Sequence, residues 1–101
     1  MINCGIYRIT NRTNRKFYIG SSNDIARRYL RHLVDLRKNK HDNQHLQLSW
    51  NKYGADNFTF EVYKICEPQL LLEEEQKELN IWVGKEECYN MRQDVSCPVA
   101  Y

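Results

Sequence analysis

The sequence predicts a small α/β domain, of the α+β kind, with a mostly antiparallel sheet and flanking helices. Three observations predict this class: two short apolar runs surround a polar turn, two later segments carry apolar residues at helical spacing, and one segment alternates aromatic and β-branched residues. The chain has 101 residues, which is enough for one modest core. We therefore expect a single domain over residues 1–101.

The first two elements form an expected β-hairpin. Gly5–Tyr7 and Phe17–Gly20 are apolar enough to be buried strands, and the polar segment Asn11–Lys16 between them favours a turn. Each strand carries a tyrosine, and a buried phenol needs a hydrogen-bond partner that an aliphatic side chain does not need. Tyr7 and Tyr18 therefore indicate a polar site.

Two helices are expected after the hairpin. Ser21–Asp24 supplies N-cap residues, and the apolar residues that follow recur at helical spacing, which predicts a helix from about Asp24 to Lys38. A polar run ends that helix. A shorter helix that ends before Gly54 is then indicated by Leu46, Leu48 and Trp50.

One more strand and one more helix complete the pattern. Phe58–Ile65 alternates and is rich in aromatic and β-branched residues, so it predicts a third strand. Pro68 favours a first helical turn, and a helix is expected from Gln69 to about Val83. Residues 86–101 show no strong periodicity.

Composition argues against several classes of protein. No segment approaches the roughly 20 apolar residues of a membrane span, and the start of the chain lacks the basic head and apolar core of a signal peptide. We therefore expect the chain in the cytoplasm of its host. Its four cysteines are not spaced as zinc or redox pairs, so free thiols are expected at Cys4, Cys66, Cys88 and Cys97.

Charge is divided unevenly along the chain. Residues 1–53 hold 11 Lys and Arg against 3 acids, a net charge of +8, whereas residues 54–101 hold 4 basic residues against 10 acids, a net charge of −6. The two halves add up to the overall +2. A polyanion would therefore be met by the first half. A solvated basic helix without a ligand has the same composition and is the alternative.

The first predicted helix brings an arginine beside a histidine. Its core arc on a helical wheel is formed by Ile25, Ala26, Tyr29, Leu33 and Leu36. Arg28, His32 and Asp35 lie together just beside that arc, so a guanidinium and an imidazole can reach one small anion. Residues suited to phosphate-backbone contacts lie further round, at Arg27, Arg31 and Lys38. The alternative is an ordinary surface ion pair of Arg28 with Asp35.

One glutamate stands where a surface residue is not expected. Within Glu73-Glu74-Glu75, wheel geometry places only Glu75 inside the apolar arc of the last helix. Burying an unpaired carboxylate costs several kcal/mol, so this side chain should be met by a cation, a metal ion or a strong donor. Mg²⁺ takes one or two protein carboxylates and keeps most of its waters, which makes Glu75 the candidate metal ligand. Pairing with Lys77 or an arginine is the alternative.

Together these residues resemble the GIY-YIG nuclease family. Its two tripeptides stand here as Gly5-Ile6-Tyr7 and Tyr18-Ile19-Gly20, and Arg28 followed four residues later by His32 is similar to the motif after the second tripeptide. Later landmarks similar to the family's are Leu71–Gln76 around the glutamate and Tyr89-Asn90-Met91 near the end. His41 and the segment Ser49–Gly54 are similar to residues of homing-type members from phages and introns.

The resemblance runs from Gly5 to Asn90 and implies a fold and a chemistry. It implies a three-stranded antiparallel sheet flanked by helices, and a nuclease that hydrolyses DNA with one divalent ion, Mg²⁺ or Mn²⁺, to give a 5′-phosphate and a 3′-hydroxyl. The implied catalytic residues are Tyr7, Tyr18, Arg28, His32, Glu75 and Asn90, with the metal on Glu75. Contacts with DNA are expected from Arg27, Arg31, Lys38 and His41.

Several alternatives stay open at this point. A register shift of one residue in the last helix would make Glu74 the metal ligand. Either Tyr7 or Tyr18 can be the base, although a phenol with a pKa of about 10 needs a lowered pKa or onward transfer of its proton to His32 or to a metal-bound hydroxide. A non-cleaving DNA-binding module with the same fold is the second hypothesis, and an RNA-directed nuclease is the third. We expect a monomer that binds DNA weakly as an isolated domain, with a strong dependence on salt.

Overall fold

The computed structural model describes residues 3–90. Its strands are β1 (Gly5–Asn11), β2 (Phe17–Ser22) and β3 (Phe58–Ile65), and its helices are α1 (Ile25–Arg37), α2 (Gln44–Tyr53) and α3 (Leu71–Trp82). Two short 3₁₀ turns, Ala55–Asn57 and Pro68–Leu70, precede β3 and α3. The expected element order is confirmed. No helix within the described range is long and apolar enough to cross a membrane.

The sheet has the order β2-β1-β3, and both outer strands are antiparallel to β1. The hairpin register places Tyr7 opposite Gly20 and Ile9 opposite Tyr18. Because directly opposed residues point to the same face, the two tyrosines are diagonal neighbours on one side of the sheet. The antiparallel sheet expected from the sequence is thereby confirmed.

A β-bulge bends the third strand. Ile6 pairs with Lys64, whereas the next residue, Tyr7, pairs with Val62, so Tyr63 is an extra residue on β3. The extra residue changes the face to which the later side chains of β3 point. A bulge of this kind depends on pairing with a strand about 55 residues away in the chain, and the alternation within Phe58–Ile65 does not predict it.

The sheet has two apolar faces because side chains alternate along each strand. Tyr7 and Ile9 belong to a buried cluster on the face that packs against α1 and α2. Ile6 and Ile19 belong to a second cluster on the opposite face, where Leu79 of α3 packs. Since β2 is an outer strand, groups from both faces can meet around its outer edge, with which the segment around Cys88 pairs at Phe17.

Capping side chains set the ends of α1 and α2. Asp24 accepts a hydrogen bond from the Arg27 N–H at 3.2 Å at the start of α1, and Asn43 accepts one from the Leu46 N–H at 2.9 Å at the start of α2. Gly54 ends α2 with a φ of 89°, a left-handed conformation that favours glycine. The predicted boundaries of both helices are confirmed.

Two details of the helix predictions are wrong. Ala26 is exposed, whereas His32 is buried beside Leu36, so the buried face of α1 is rotated towards the histidine. The rotation is possible because the imidazole finds hydrogen-bond partners in the interior. The last helix begins at Leu71, later than predicted, because Pro68 opens a separate 3₁₀ turn.

A stacked arginine, which the sequence did not predict, ties α3 to the sheet. The guanidinium carbon of Arg8 lies 4.2 Å from the ring centroid of Phe17 and 3.9 Å from that of Tyr63. Its Nη2 lies 3.6 Å from Oε1 of Glu78 on α3. A largely desolvated guanidinium between aromatic faces is stabilised by cation–π attraction. Trp82 completes this layer and is partly buried.

The described cysteines carry free thiols, as expected. Cys4, Cys66 and Cys88 are unbridged, whereas Cys97 and Met91 lie outside the described residues. Burial raises the pKa of the Cys66 and Cys88 thiols. These two groups are therefore protonated at neutral pH and are weak nucleophiles.

Asn11 closes the hairpin from the inside. It is fully buried, and its amide nitrogen donates to the hydroxyls of Ser49 at 3.0 Å and Tyr89 at 3.4 Å. Its amide oxygen accepts from the Thr13 N–H at 2.9 Å, which orders the turn. One side chain thus joins the turn to α2 and to the segment after α3.

We expect Asn11→Ala to lower the free energy of unfolding by about 2 kcal/mol, because the buried hydroxyls of Ser49 and Tyr89 lose a donor. The matched control is Asn14→Ala, since Asn14 is exposed and its side chain accepts only from the Lys16 N–H, at 3.0 Å. This control should cost less than about 1 kcal/mol. Urea denaturation measures both, and equal losses would contradict the expectation.

Candidate active site

Two glycines allow close packing around the strands of the hairpin. A Cβ on Gly20 would stand 2.3 Å from both the ring and the hydroxyl of Tyr7, so glycine alone leaves room for that ring across β2. A Cβ on Gly5 would stand 2.0 Å from the carbonyl oxygen of Lys64 on β3. Both glycines of the motif are therefore required by packing inside the domain.

The Tyr7 hydroxyl lies against a histidine of α1. Tyr7 is 1% exposed, and its oxygen is 2.5 Å from Nε2 of His32, which is 4% exposed. The Tyr18 ring meets the same imidazole edge-on, with centroids 5.4 Å apart. The helix thus places His32 between the two tyrosines predicted to form a polar site.

A second histidine extends this contact. Nε2 of His41 is 2.7 Å from Nδ1 of His32, and the two rings stack with their centroids 5.0 Å apart. The loop holds His41 from two sides, because its N–H donates to Gln47 and its Nδ1 accepts from the Asn43 N–H, each at 3.0 Å. His41 was expected to contact DNA, and the structure places its ring against His32, only partly exposed.

Arg28 approaches the same phenol from α1. Its guanidinium opposes the rise in the pKa of Tyr7 through its charge and its donor groups, and its charge also acts on Tyr18. The alternative was an ion pair of Arg28 with Asp35. The Asp35 carboxylate instead accepts a hydrogen bond of 3.3 Å from Arg31. Arg28 and His32 are therefore brought together, as their spacing predicted.

Glu75 faces the sheet from α3, as its position on the wheel predicted. It is 5% exposed and accepts a hydrogen bond of 2.5 Å from the hydroxyl of Ser21 on β2. Glu74 instead pairs with Lys64 and Lys77. The geometry therefore favours Glu75 over its neighbour as the site carboxylate.

Ser21 was missed by the sequence reasoning. Its position in β2 could have identified it. Side chains alternate along a strand, so Ser21 lies on the same face as Phe17 and Ile19, which is the face that packs against α3. A hydroxyl at a buried strand position needs a partner, and the inward carboxylate on α3 supplies one.

Burial and neighbouring charges shift the pKa of both tyrosines upward. Burial raises the pKa of Tyr7 well above its ordinary value, with a further contribution from Tyr18, while Arg28 opposes the shift. Burial, followed by the charge of Glu75, raises the pKa of Tyr18 to about 12. Glu75 also acts on Tyr7. The carboxylate of α3 and the guanidinium of α1 therefore converge on the same two hydroxyls.

Asn90 holds the outer edge of β2. Its amide oxygen accepts from the Ile19 N–H at 2.7 Å, and its amide nitrogen donates to the Ile19 carbonyl at 2.9 Å. Tyr89 extends the same contact, because its N–H donates to the Phe17 carbonyl at 2.8 Å. The side chain thus pairs with the strand that carries Tyr18, next to the tyrosine itself.

An open groove lies beside these residues, between α1 and the start of α3. Its volume is about 670 Å³, and its lining includes Arg27, Arg28, Arg31, Asn23 and Leu71. Two of the arginines predicted to contact a phosphate backbone therefore share a groove with the arginine of the site. Lys38 is exposed at the carboxyl end of α1.

The donors around Glu75 suit a hydrated hard cation. No cluster of three or more His, Cys, Asp or Glu side chains that could hold a metal ion is found within residues 3–90. A site there would rest on the Glu75 carboxylate, with the Ser21 hydroxyl beside it. This set fits Mg²⁺ or Mn²⁺ better than zinc, because Mg²⁺ commonly binds through one or two carboxylates and keeps several waters.

Comparison with known families and proteins gives consistent matches. The family model described as the GIY-YIG catalytic domain matches residues 3–85. The chain is 48% identical over 50 residues to "Intron-associated endonuclease 1" of Enterobacteria phage T4, covering 50% of this chain and 20% of that protein. It is 42% identical over 60 residues to "Probable intron-encoded endonuclease 1" of Neurospora crassa, covering 59% and 18%. The matches thus span about a fifth of the length of these relatives.

Two solved structures share the fold. The catalytic domain of homing endonuclease I-TevI superimposes with a TM-score of 0.78 at 34% sequence identity, covering 88% of this chain and 98% of that one. A glutamate-to-alanine mutant of the catalytic domain of intron endonuclease I-TevI gives the same TM-score and identity, covering 89% and 94%. The three-stranded antiparallel sheet with its helices is therefore the architecture of that domain.

The buried imidazole should make the fold sensitive to acid. Burial, followed by the charges of His41 and Arg28, lowers the pKa of His32 to about 3, against about 6.5 for a free imidazole. Between these pH values the unfolded chain binds a proton that the folded chain does not. The free energy of unfolding should therefore fall as pH drops from about 6.5 towards 3, by at most about 1.4 kcal/mol per pH unit.

Urea titrations at several pH values measure this slope. His32→Gln should remove the contribution, whereas His45→Gln should leave the slope unchanged, because His45 is exposed. An unchanged slope in His32→Gln would show that His32 titrates alike in the folded and unfolded chains.

Proposed function

Because the chain belongs to the GIY-YIG catalytic-domain family, we propose that it is the catalytic domain of a homing-type DNA endonuclease. The reaction is hydrolysis of a phosphodiester to give a 5′-phosphate and a 3′-hydroxyl. The observation that carries the proposal is the convergence of Arg28 from α1 and Glu75 from α3 on the hydroxyls of Tyr7 and Tyr18. Phosphoryl hydrolysis needs such a cation, a metal-binding carboxylate and a group that manages the proton of water.

The basic groove supports DNA as the substrate. Arg27, Arg28 and Arg31 line it together, and the half of the chain that contains them has a net charge of +8. Guanidinium groups match phosphate oxygens in geometry and stay charged at neutral pH. In this arrangement Arg27 and Arg31 contact the phosphates that flank the scissile one, and Lys38 extends the path along α1.

Tyr7 is proposed as the base for the attacking water. Burial raises the pKa of Tyr7, so its phenolate forms by loss of the proton to solvent while the neighbouring cations and donors stabilise the oxygen. The phenolate then takes one proton from water, and the water oxygen bonds to phosphorus as the bond from phosphorus to the 3′-oxygen breaks. The leaving 3′-oxygen takes a proton from solvent. Arg28 donates to the phosphate oxygens whose negative charge grows in the transition state. Tyr18 orients the phosphate through its hydroxyl, and Asn90 holds the strand beneath it.

A divalent ion, Mg²⁺ or Mn²⁺, is proposed at Glu75. Ser21 orients the carboxylate by its hydrogen bond, and the charge of the carboxylate acts on both phenols. When bound, the ion supplies Lewis-acid stabilisation of negative charge on the phosphate and the leaving oxygen. The monomeric state and the location in the host cytoplasm stay predictions.

We expect Glu75→Gln to lower the cleavage rate by about a hundredfold to a thousandfold, because the amide keeps the size of the side chain and loses the charge that holds the ion. The control is Glu74→Gln, since that carboxylate faces Lys64 and Lys77 outside the site. Plasmid nicking with Mg²⁺, with and without a chelator, measures the rate. Mn²⁺ should broaden NMR signals of Ser21 and its neighbours in the original chain and in the control only. Two results would contradict the proposal: nicking that the chelator does not inhibit, and the absence of nicking by the original chain although it binds DNA.

Arg31→Gln should weaken binding to a short duplex and lower the slope of log affinity against log salt by about 1, because one phosphate contact is lost. Arg37→Gln removes the same charge from the same helix, but Arg37 lies near Trp50 and Phe58, away from the groove. It should leave the slope unchanged. Fluorescence anisotropy at several salt concentrations, without divalent ions, compares the two. Equal slopes would place the DNA on another surface.

A further inference from the structure

A run of hydrogen bonds leads from the backbone to the proposed base. The N–H of Asn43 lies 3.0 Å from Nδ1 of His41, Nε2 of His41 lies 2.7 Å from Nδ1 of His32, and Nε2 of His32 lies 2.5 Å from the Tyr7 oxygen. Three successive contacts therefore connect the backbone N–H of Asn43, the two imidazole rings and the phenol of Tyr7. The direction of each hydrogen bond follows from the first.

A backbone N–H can only donate, so Nδ1 of His41 must accept and carries no proton in the neutral ring. The single ring proton of His41 is then on Nε2, which faces His32. Nδ1 of His32 must accept in turn, so the proton of His32 is on Nε2. That nitrogen faces Tyr7, whose oxygen therefore accepts a hydrogen bond.

We propose that His41 is a positioning residue that fixes His32 as the Nε2–H tautomer, so that His32 is a permanent donor to the Tyr7 oxygen and not the acceptor of its proton. The kinetic consequence rests on the proposed nuclease function, whereas the tautomer itself does not. The sequence had left onward transfer from Tyr7 to His32 as a route for the proton. The contacts of the loop around His41 disfavour that route.

If the hydrogen bonds between Tyr7, His32 and His41 ran in the opposite direction, two N–H groups would face each other at Asn43. A proton accepted by His32 at Nε2 from Tyr7 would require Nδ1 of His32 to donate to His41, and His41 would then carry its proton on Nδ1. That proton would face the Asn43 N–H at 3.0 Å. A partly buried donor would lose its partner, which is costly. Burial also lowers the pKa of both imidazoles, so a doubly protonated ring is disfavoured at neutral pH.

The groups packed around the two rings leave this direction intact. Gln47 accepts from the backbone N–H of His41 and does not compete for a ring nitrogen. Tyr18 meets both rings edge-on, at centroid distances of 5.4 Å and 5.6 Å. The charged and titratable groups that act on the rings or on the phenols are Arg28, Asp35 and Asp42 on the α1 side, Tyr7 and Tyr18 on the sheet, Glu75 on α3, and Cys88 in the segment after α3.

The arrangement gives the Tyr7 oxygen one fixed donor and one neighbouring cation. His32 donates through Nε2–H, and the charge and donor groups of Arg28 act on the same phenol. In the phenol form the hydroxyl hydrogen of Tyr7 is directed to another partner, which in the complex is water or phosphate. In the phenolate form the His32 donor and the Arg28 cation both stabilise the negative oxygen. His41 would thus contribute to the rate without touching the substrate.

The first experiment is NMR of the protein labelled with ¹⁵N-histidine, without DNA or metal. Long-range ¹H–¹⁵N correlations at neutral pH should show a protonated Nε2 and an unprotonated Nδ1 for both His32 and His41. Exposed His45 serves as the internal reference for a histidine free to exchange tautomers. A protonated Nδ1 on either buried ring would overturn the proposal. This result does not depend on whether the protein cleaves DNA.

The second experiment compares His41→Gln with His41→Glu, which have the same shape and differ in donor capacity. The Gln amide can donate to Nδ1 of His32, so cleavage should stay within about tenfold of the original rate, with an unchanged pH profile. The Glu carboxylate can only accept. Neutral His32 would then turn its proton to Nδ1 and lose its donor to Tyr7, and the rate at high pH should fall by about a hundredfold.

The pH profile separates this role from a merely structural one. The carboxylate of His41→Glu raises the pKa of His32, and the doubly protonated ring can donate to both neighbours. Cleavage by His41→Glu, relative to His41→Gln, should therefore recover as pH is lowered. Parallel pH profiles for the two variants would overturn the proposal. Amide spectra of both variants check the fold, and if either is unfolded, the tautomers of the original chain decide.

Discussion

The site depends on the packing of one aromatic ring over one glycine. Because Gly20 has no side chain, the ring of Tyr7 crosses β2 and its hydroxyl emerges under α1. There it meets the imidazole of His32 and the guanidinium of Arg28. A larger residue at the glycine would push the ring away from all of these partners. The tyrosine of the first tripeptide and the glycine of the second are thus two halves of one contact, formed by the register of the hairpin.

The position of β2 at the edge of the sheet explains how opposite faces serve one site. The charge of Arg28 acts on the tyrosines from the α1 face, and that of Glu75, which Ser21 holds by a hydrogen bond, acts on them from the α3 face. In a central strand these groups would be separated by the sheet. At the edge, each needs to cover only part of the width of β2. Asn90 pairs with that same edge at Ile19 and keeps the strand in place.

Periodicity predicted the parts of the site that lie on regular elements. Glu75 was found because a carboxylate stood on an apolar helical arc, and Arg28 and His32 because one turn separates them. Periodicity does not apply to His41, which the family resemblance singled out and whose position is set by loop contacts with Gln47 and Asn43. Periodicity failed for Arg8, because that stacking needs the bulge of β3. The local sequence pattern determines which side chains lie on one face of a helix or strand. Contacts between distant segments determine which residues those side chains pack against.

The charges around the two phenols favour different roles for them. Ionisation of one tyrosine raises the pKa of the other, so the buried site admits one phenolate more easily than two. Glu75 is the main charge that opposes ionisation of Tyr18, whereas the charge of Arg28 favours the Tyr7 phenolate and His32 lies against the Tyr7 oxygen. Burial raises the pKa of both phenols and also strengthens these interactions. The Tyr7 anion thus has a hydrogen-bond donor at hand although burial raises the pKa of Tyr7 well above its ordinary value, and Tyr18, beside the charge of Glu75, is suited to keep its proton and donate it in a hydrogen bond to phosphate.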